Sequence, residues 1–415
     1  MFALWRGHGL IALYGRFLQP PDMDKARVCA FSMSVRLCHL GARNSLLISL
    51  ASVLNGNYML DKNMVESRRF SLESRRYIGC KAKLTDWIFD LISQHTHNVH
   101  SFCDIFAGTG VVAHRALQQY DRVVVNDFLY SNNLMYHAFF SNEAWDENKV
   151  ERLIEDFNKL EPNSLRQNYF SKNFGGKFFD VNVAKVVGHI RGRLQEMKQD
   201  LTEKEYAVLL ASLIYSIDRR ANTLGHFDAY IKKAIKPQAF EMHMIDAKSY
   251  DGVEIHQEDA NLLARNIHVD LTYLDPPYNS RQYSRFYHVY ENLVQWKKPK
   301  LYGTALKPKE ENMSDYCRSS ALGAFTDLVS HVDSRYLVVS YNNTYHSKSS
   351  SSANKIKLEE IEDVLNKCGE TQVFTHQYNP FNSGKTEFDD HREYLFITEV
   401  DDEKRNRSFP TILRG

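Results

Sequence analysis

Between residues 75 and 130 the apolar positions alternate between helical spacing and short continuous runs. In "RRYIGCKAKLTDWIFDLI" a loop at Gly79 precedes a helix with Leu84, Trp87, Ile88 and Leu91 on one face. "VHSFCDIFAGTGVVAHRAL" then reads as a strand reaching Asp104 to Phe106, a turn through Ala107-Gly108-Thr109-Gly110, and a helix. "DRVVVND" is a second short strand, closed by Asn126 and Asp127. "HVDLTYLDPPYN" is a further strand of the same sheet and stops abruptly at Asp275-Pro276-Pro277-Tyr278. Proline removes a backbone donor and fixes its own φ, so two in succession end a strand. Towards the C-terminus, "RYLVVSYNN" and "EYLFITEV" are strands flanking the helix "KLEEIEDVLNKC". Alternating strands and helices predict an α/β fold with an open sheet.

The spacing between these elements is uneven. From Gly108 to Asp275 is 167 residues (275 − 108). Two βα units need roughly 60 to 75, so about 100 are extra. They fall between Ser131 and about Tyr250 and read mostly as helix, as in "DENKVERLIEDFNKL" and "TEKEYAVLLASLIYSIDRR". Residues 1–58 differ from the rest: six Lys/Arg, only Asp22 and Asp24 as acids, and no sustained period. They read either as an acid-poor targeting extension or as a start placed too far upstream, with translation beginning at Met59 or Met64. "HSKSSSS", residues 346–352, is a flexible polar loop placed to hang over the cleft.

Composition narrows the class. The formal net charge is +1, so affinity for nucleic acid has to come from local basic patches. The six cysteines show neither metal spacing nor a disulfide framework, which favours a reduced, cytoplasmic setting. The apolar run from Leu46 to Leu54 is too short to span a bilayer.

Candidate chemistry gathers at the carboxyl ends of the strands, where open α/β sheets bind ligands. Gly108 and Gly110 let the backbone approach a ligand closely, and Asp127 is placed to accept hydrogen bonds from ribose hydroxyls. Position 113 is alanine, so the dinucleotide pattern lacks its third glycine, and no Gly-Lys-Ser/Thr follows. A ligand with ribose but no pyrophosphate fits, and S-adenosylmethionine is one. Asp275 and the Pro276 carbonyl can each accept one N–H of an exocyclic amine. That favours a pyramidal nitrogen with a localised lone pair, a preorganised arrangement for methyl transfer. Tyr278 offers a ring face on which the base can stack.

"YIGCK", "DIFAGTG", "ND" and "DPPYNSRQY", in this order, resemble the Dam-like, alpha-group DNA adenine methyltransferases of the Asp-Pro-Pro-Tyr class. The resemblance covers roughly residues 75 to 400. The tail "NSRQYSRFYHVYENL" is similar to a subgroup that accompanies restriction enzymes. The resemblance implies a Rossmann-like methyltransferase sheet with helices on both faces and a mostly helical inserted target-recognition region. It implies that Tyr77 and Lys81 contact the cofactor, Phe106 and Gly108 line its pocket, Asp127 binds ribose and Asp259 meets its adenine. Asp275 would lie beside both cofactor and target amine, with Pro276 and Tyr278 completing the catalytic set. Cys80 stands where this family often has a small Gly or Ser.

The implied domains are an extension at 1–58, a catalytic domain from 59–130 and 251–400, an inserted DNA-recognition region at 131–250, and a tail at 401–415. The implied partner is double-stranded DNA, with a cognate restriction endonuclease that shares the target sequence without necessarily binding. The enzyme is expected to be a monomer that needs neither metal nor nicotinamide. Residues 219–236 carry five Lys/Arg against one acid, and residues 281–309 carry seven against one glutamate. Arg219, Arg220, Arg281, Arg285, Lys297, Lys298 and Lys300 are the candidates for DNA contact, because cations neutralise phosphates. The interleaved aromatics either stack on bases or, for Phe286, Tyr290, Leu293 and Val294, form the core face of a helix. The chief alternative is an RNA adenine or guanine amino-methyltransferase acting on an exposed base. A non-enzymatic DNA-binding protein would not need Gly108, Asp127 and Asp275 together. Cytosine-ring methylation usually uses a Pro-Cys, and none occurs.

Overall fold

The computed structural model describes residues 69–344, 353–377 and 391–410. The extension at 1–58, both alternative start methionines and the loop at 346–352 lie outside the described residues. Helix α1 (Thr85–His95) leads into β1 (Ser101–Asp104), α2 (Val111–Ala116) and β2 (Arg122–Asn126). The helices α3 (Tyr130–Phe140), α4 (Glu147–Asn158), α5 (Tyr169–Phe174), α6 (Val181–Glu196) and α7 (Glu203–Asp218) follow. The chain then returns through β3 (Val253–His256), α8 (Ala260–Leu263), β4 (His268–Leu274), α9 (Tyr283–Phe286) and α10 (His288–Gln295). Last come α11 (Ala321–His331), β5 (Asp333–Asn342), α12 (Leu358–Asn366), β6 (Gly369–Gln377), β7 (Arg392–Val400) and α13 (Asp402–Ser408).

The seven strands of the described residues form one sheet in the order β3-β2-β1-β4-β5-β7-β6. The first five are parallel, and β7 runs antiparallel to both of its neighbours. Asp104 lies opposite Val125 on β2 and Tyr273 on β4, so these strands finish level with one another. Strand alternation feeds two cores, as expected of a sheet covered on both faces. Phe102, Val123, Val125, Leu271 and Tyr273 belong to one. Cys103, Val124, Leu337, Val339 and Phe396 belong to the other.

Three details depart from the sequence pattern. The face that α1 buries is Ile88, Phe89 and Ile92, whereas Trp87 and Leu91 are half-buried. Phe89 turns inward because Phe102 of β1 lies 5.8 Å away, centroid to centroid. Strand β6 is not evident in the sequence because among the described residues it is an edge strand, paired only with β7 and largely exposed. The inserted helices belong to the same compact unit as the sheet, and Phe170, Val187, Leu210 and Ile214 lie in the first core. Helix α7 is buried almost all round, and a Thr202/Glu205 capping box fixes its start. Among the described residues, no helix is long and apolar enough to cross a membrane.

Candidate active site

Level strand ends create an open cleft beyond β1, β2 and β4. Tyr77, Lys81, Phe106, Gly108, Asp127, Asp259, Asp275, Pro276 and Tyr278 all line it. Lys81 and Tyr278, 197 positions apart in sequence, meet here because parallel strands bring their carboxyl ends to one edge.

The glycine turn needs its glycines. Gly108 and Gly110 have φ of +54° and +82°, in the left-handed region that glycine occupies without strain. A Cβ on Gly110 would come within 3.0 Å of Tyr136 and 3.2 Å of Phe140. Two side chains pin the loop: the Gly108 N–H donates to Asp127 Oδ2 at 2.9 Å, and Tyr136 donates its hydroxyl to the Gly108 carbonyl at 2.8 Å. Asn126 ties three strand ends together. Its Nδ2 donates to the Ile105 and Glu258 carbonyls at 3.0 and 3.2 Å, while its Oδ1 accepts from the Glu258 N–H at 2.9 Å.

Asp127 Oδ1 accepts from the Leu129 N–H at 2.8 Å. Burial pushes its pKa up to about 6, against the pull of these backbone donors. Asp259 caps α8, accepting from the Asn261 and Leu262 N–H groups at 3.0 and 3.3 Å. Phe106 stands edge-on to Tyr316 at 4.9 Å. Tyr77 is stacked on Tyr287 at 4.6 Å and on Tyr283 at 5.4 Å, and its hydroxyl accepts from Asn132 Nδ2 at 3.1 Å.

At the end of β4 a buried polar cluster surrounds Asp275. Its Oδ2 is 2.7 Å from Lys81 Nζ, and its Oδ1 accepts from the Tyr278 hydroxyl. Lys81 also donates to Tyr278 Oη at 2.5 Å and lies 4.9 Å from the centre of that ring. Glu393 of β7 completes the cluster, 3.5 Å from Lys81 Nζ. The Lys81 and Glu393 side chains are 5% and 3% exposed, and that of Asp275 is 16% exposed. Burial alone would lower the Lys81 pKa, yet Asp275 and Glu393 hold the ammonium above its ordinary value. Burial raises Asp275, and Lys81 opposes the rise. The Pro276 carbonyl accepts no hydrogen bond from the described residues.

Two groups were not singled out from sequence. Asp104, at the end of β1, accepts from the Ala113 N–H through Oδ2 at 3.1 Å, while its buried Oδ1 has no partner among the described residues. Burial, then Asp275, pushes its pKa well above the usual range. An acid closing an apolar strand just before a glycine turn was a visible signal. Glu393 had a weaker one, a single acid opening the strand "EYLFITEV" far from every other motif.

The basic candidates stand apart from this cleft. Lys297, Lys298 and Lys300 are exposed, as is Arg219, whose guanidinium lies over Phe70 at 5.5 Å. Arg220, Arg281 and Arg285 are half-buried. Arg285 donates to the Pro308 carbonyl at 2.7 Å, and Lys297 lies 3.5 Å from Glu311. Phe286, Tyr290 and Leu293 are buried and Val294 is half-buried, so this face of the segment is core. Arg285 and Lys297 border a second cleft that shares Ser284 and Asn312 with the first.

Residues 77–351 match the family described as D12 class N6 adenine-specific DNA methyltransferase. The type II methyltransferase M.NlaIII of Neisseria lactamica is 30% identical over 342 residues, which are 78% of this chain and 98% of that protein. M.FokI of Planomicrobium okeanokoites is 31% identical over 351 residues, 79% of this chain but 53% of that protein. M.CviAII of Paramecium bursaria Chlorella virus 1 is 29% identical over 339 residues, 78% of this chain and 98% of that protein.

Proposed function

Because the chain belongs to the D12 class N6 adenine-specific DNA methyltransferases, we propose that the cluster at the end of β4 is the clamp for its target amine. The family's methyl donor is S-adenosylmethionine, which supplies an electrophilic methyl group on a sulfonium. The cleft suits that donor: among the described residues, Asp127, Glu258, Asp259 and Asp275 line it against Lys81 alone, an acidic balance that favours a ligand with a sulfonium and an ammonium. Tyr77, Phe106 and Gly108 bound its pocket, Asp127 takes the ribose hydroxyls, Asp259 faces the adenine and Lys81 fixes the end nearest the clamp.

In this reading Asp275 accepts one N–H of the adenine amine and the Pro276 carbonyl accepts the other. Held so, the nitrogen lone pair leaves conjugation with the ring and is free to bond the methyl carbon as the bond to sulfur breaks. The methylated nitrogen must then lose a proton, and Asp275, raised by burial, is suited to receive it. Tyr278 stacks on the base, which has to leave the duplex to reach a buried strand end. Residues 59–130 and 251–400 form the catalytic domain and 131–250 the DNA-recognition region. Arg219, Arg220, Arg281, Arg285, Lys297, Lys298 and Lys300 supply phosphate contacts. The relatives carry type II names, which supports a modification enzyme paired with an endonuclease that reads the same sequence. It acts as a cytoplasmic monomer.

One observation carries this reading most. Asp275 and the unengaged Pro276 carbonyl end the same strand, on the cleft that Asp127 and Gly108 line. Methylation-sensitive sequencing of DNA from hosts expressing the wild type and Asp275→Ala tests it. Modified adenines at one sequence with the former and none with the latter are expected. Equal modification by both would overturn the assignment.

A further inference from the structure

Around the clamp, two donors already occupy the carboxylate that the target needs. Asp275 receives the Tyr278 hydroxyl on one oxygen and the Lys81 ammonium on the other. The ring of Tyr278 is also engaged, by Lys81 at 4.9 Å and edge-on by Tyr341 at 4.7 Å. When a target amine comes to Asp275 and its base comes to the Tyr278 ring, this arrangement has to open. A donor released inside a buried site without a new partner is costly, and an unpaired ammonium most of all.

Among the described residues, Glu393 is the carboxylate besides Asp275 within reach of both donors. Its Oε1 is 3.2 Å from the Tyr278 hydroxyl and 3.5 Å from Lys81 Nζ. Ser340 Oγ donates to the same oxygen at 2.8 Å and fixes its direction. Glu393 and Ser340 are 3% and 0% exposed, so water does not substitute for them. The antiparallel pairing of β5 with β7 brings Glu393 beside this site, since Ser340 pairs with Leu395 and Asn342 with Glu393.

We propose that Glu393 is a positioning residue for methyl transfer: its carboxylate holds the Lys81 ammonium and takes over the Tyr278 hydroxyl when the target amine claims Asp275. The inference rests on the clamp assignment above. Glu393 does not line the cleft. It acts by keeping two neighbours satisfied, so that Asp275 is free to accept and the Tyr278 ring is free to stack.

Steady-state methylation by two variants of the full chain tests this. Glu393→Gln keeps an acceptor oxygen but loses the charge, and Glu393→Met loses both. Glu393→Gln should lower kcat about tenfold, the size of coupling expected within one hydrogen-bond network, and Glu393→Met should lower it further. KM for DNA and for S-adenosylmethionine should stay within about twofold in both. In a Tyr278→Phe background, which has no hydroxyl to take over, the gap between the two variants should narrow, leaving only what the Lys81 contact contributes. A wild-type kcat in Glu393→Met, or an undiminished gap between the variants in the Tyr278→Phe background, overturns the proposal. Should both fail to fold, Ser340→Ala leaves the carboxylate in place without its orienting bond. It should lower kcat in the same direction, and an unchanged kcat then overturns the proposal. Asp275→Asn separates the two failures. If it methylates normally, the clamp assignment is wrong; if it is inactive while the Glu393 variants are normal, only the role of Glu393 falls.

Discussion

At the scale of single residues, the chemistry depends on a few carboxylates held in an environment that resists their charge. Asp275 keeps its acceptor character because Lys81 opposes the desolvation. Asp275→Ala should abolish transfer and leave the circular dichroism spectrum unchanged, since its partners are all side chains of the cleft. Tyr278→Phe should retain much of the activity. Tyr278→Ala should lose stacking worth roughly 1 to 3 kcal/mol, and equal losses in the two variants would exclude a stacking role. Asp127 gives a pH signature. Its folded-state pKa is raised to about 6, so it takes up a proton and loses its charge as pH falls through that value. Affinity for S-adenosylmethionine, measured by calorimetry, should therefore weaken from pH 7 to pH 5, and Asp127→Asn should flatten that dependence.

At the scale of elements, helix termini are tied to distant side chains. Glu291 of α10 accepts from the Tyr130 and Ser131 N–H groups, at 3.1 and 2.8 Å, and so caps α3, the first helix beyond Asp127. Burial pushes its pKa up to about 7, against those hydrogen bonds. A raised folded-state pKa means that the native state binds the proton more tightly than the unfolded chain does. Stability from this group is full below its ordinary value of 4.5 and is lost as pH climbs through about 7. Glu291→Gln loses one backbone hydrogen bond, at a cost of about 1 kcal/mol, but has no charge to bury. Its Tm should fall below the wild type at pH 5, and the gap should close towards pH 8. A gap independent of pH would show that the Glu291 carboxyl is not titrating in this range.

For the whole molecule, the question is how a chain of almost balanced charge holds a polyanion. Lys298 and Lys300 are exposed, as are Lys232, Lys233 and Lys236, so local patches carry the positive field. If Lys298 and Lys300 each neutralise a phosphate, their alanine variants should each reduce the slope of log K against log salt by about one, without changing the methylated sequence. Arg285 donates to the Pro308 carbonyl, so Arg285→Ala should also lower Tm. An unchanged salt slope in the lysine variants would place the DNA elsewhere.

Sequence by itself determined what local pattern and short-range chemistry can determine. The strands ending at Asp104, Asn126 and Leu274 are short runs rich in apolar residues, closed by glycines, an Asn-Asp pair and two prolines. Their parallel order brings Gly108, Asp127 and Asp275 to one cleft, as their positions at strand ends implied. Helix α7 was legible because its apolar run is long and its capping box lies directly before it. Tertiary structure decided the rest, because those properties depend on partners remote in the chain. Which face α1 buries was settled by Phe102, and which aromatics after Arg281 are core was settled by the packing of α10. Strand β6 has too little buried surface to impose a pattern, and only pairing with β7 makes it a strand. Glu393 lies 118 residues beyond Asp275 (393 − 275), and nothing in its neighbourhood of sequence distinguishes it. The reversed direction of β7 against β5 brings it to Lys81 and Tyr278, because antiparallel pairing returns the start of one strand to the end of another.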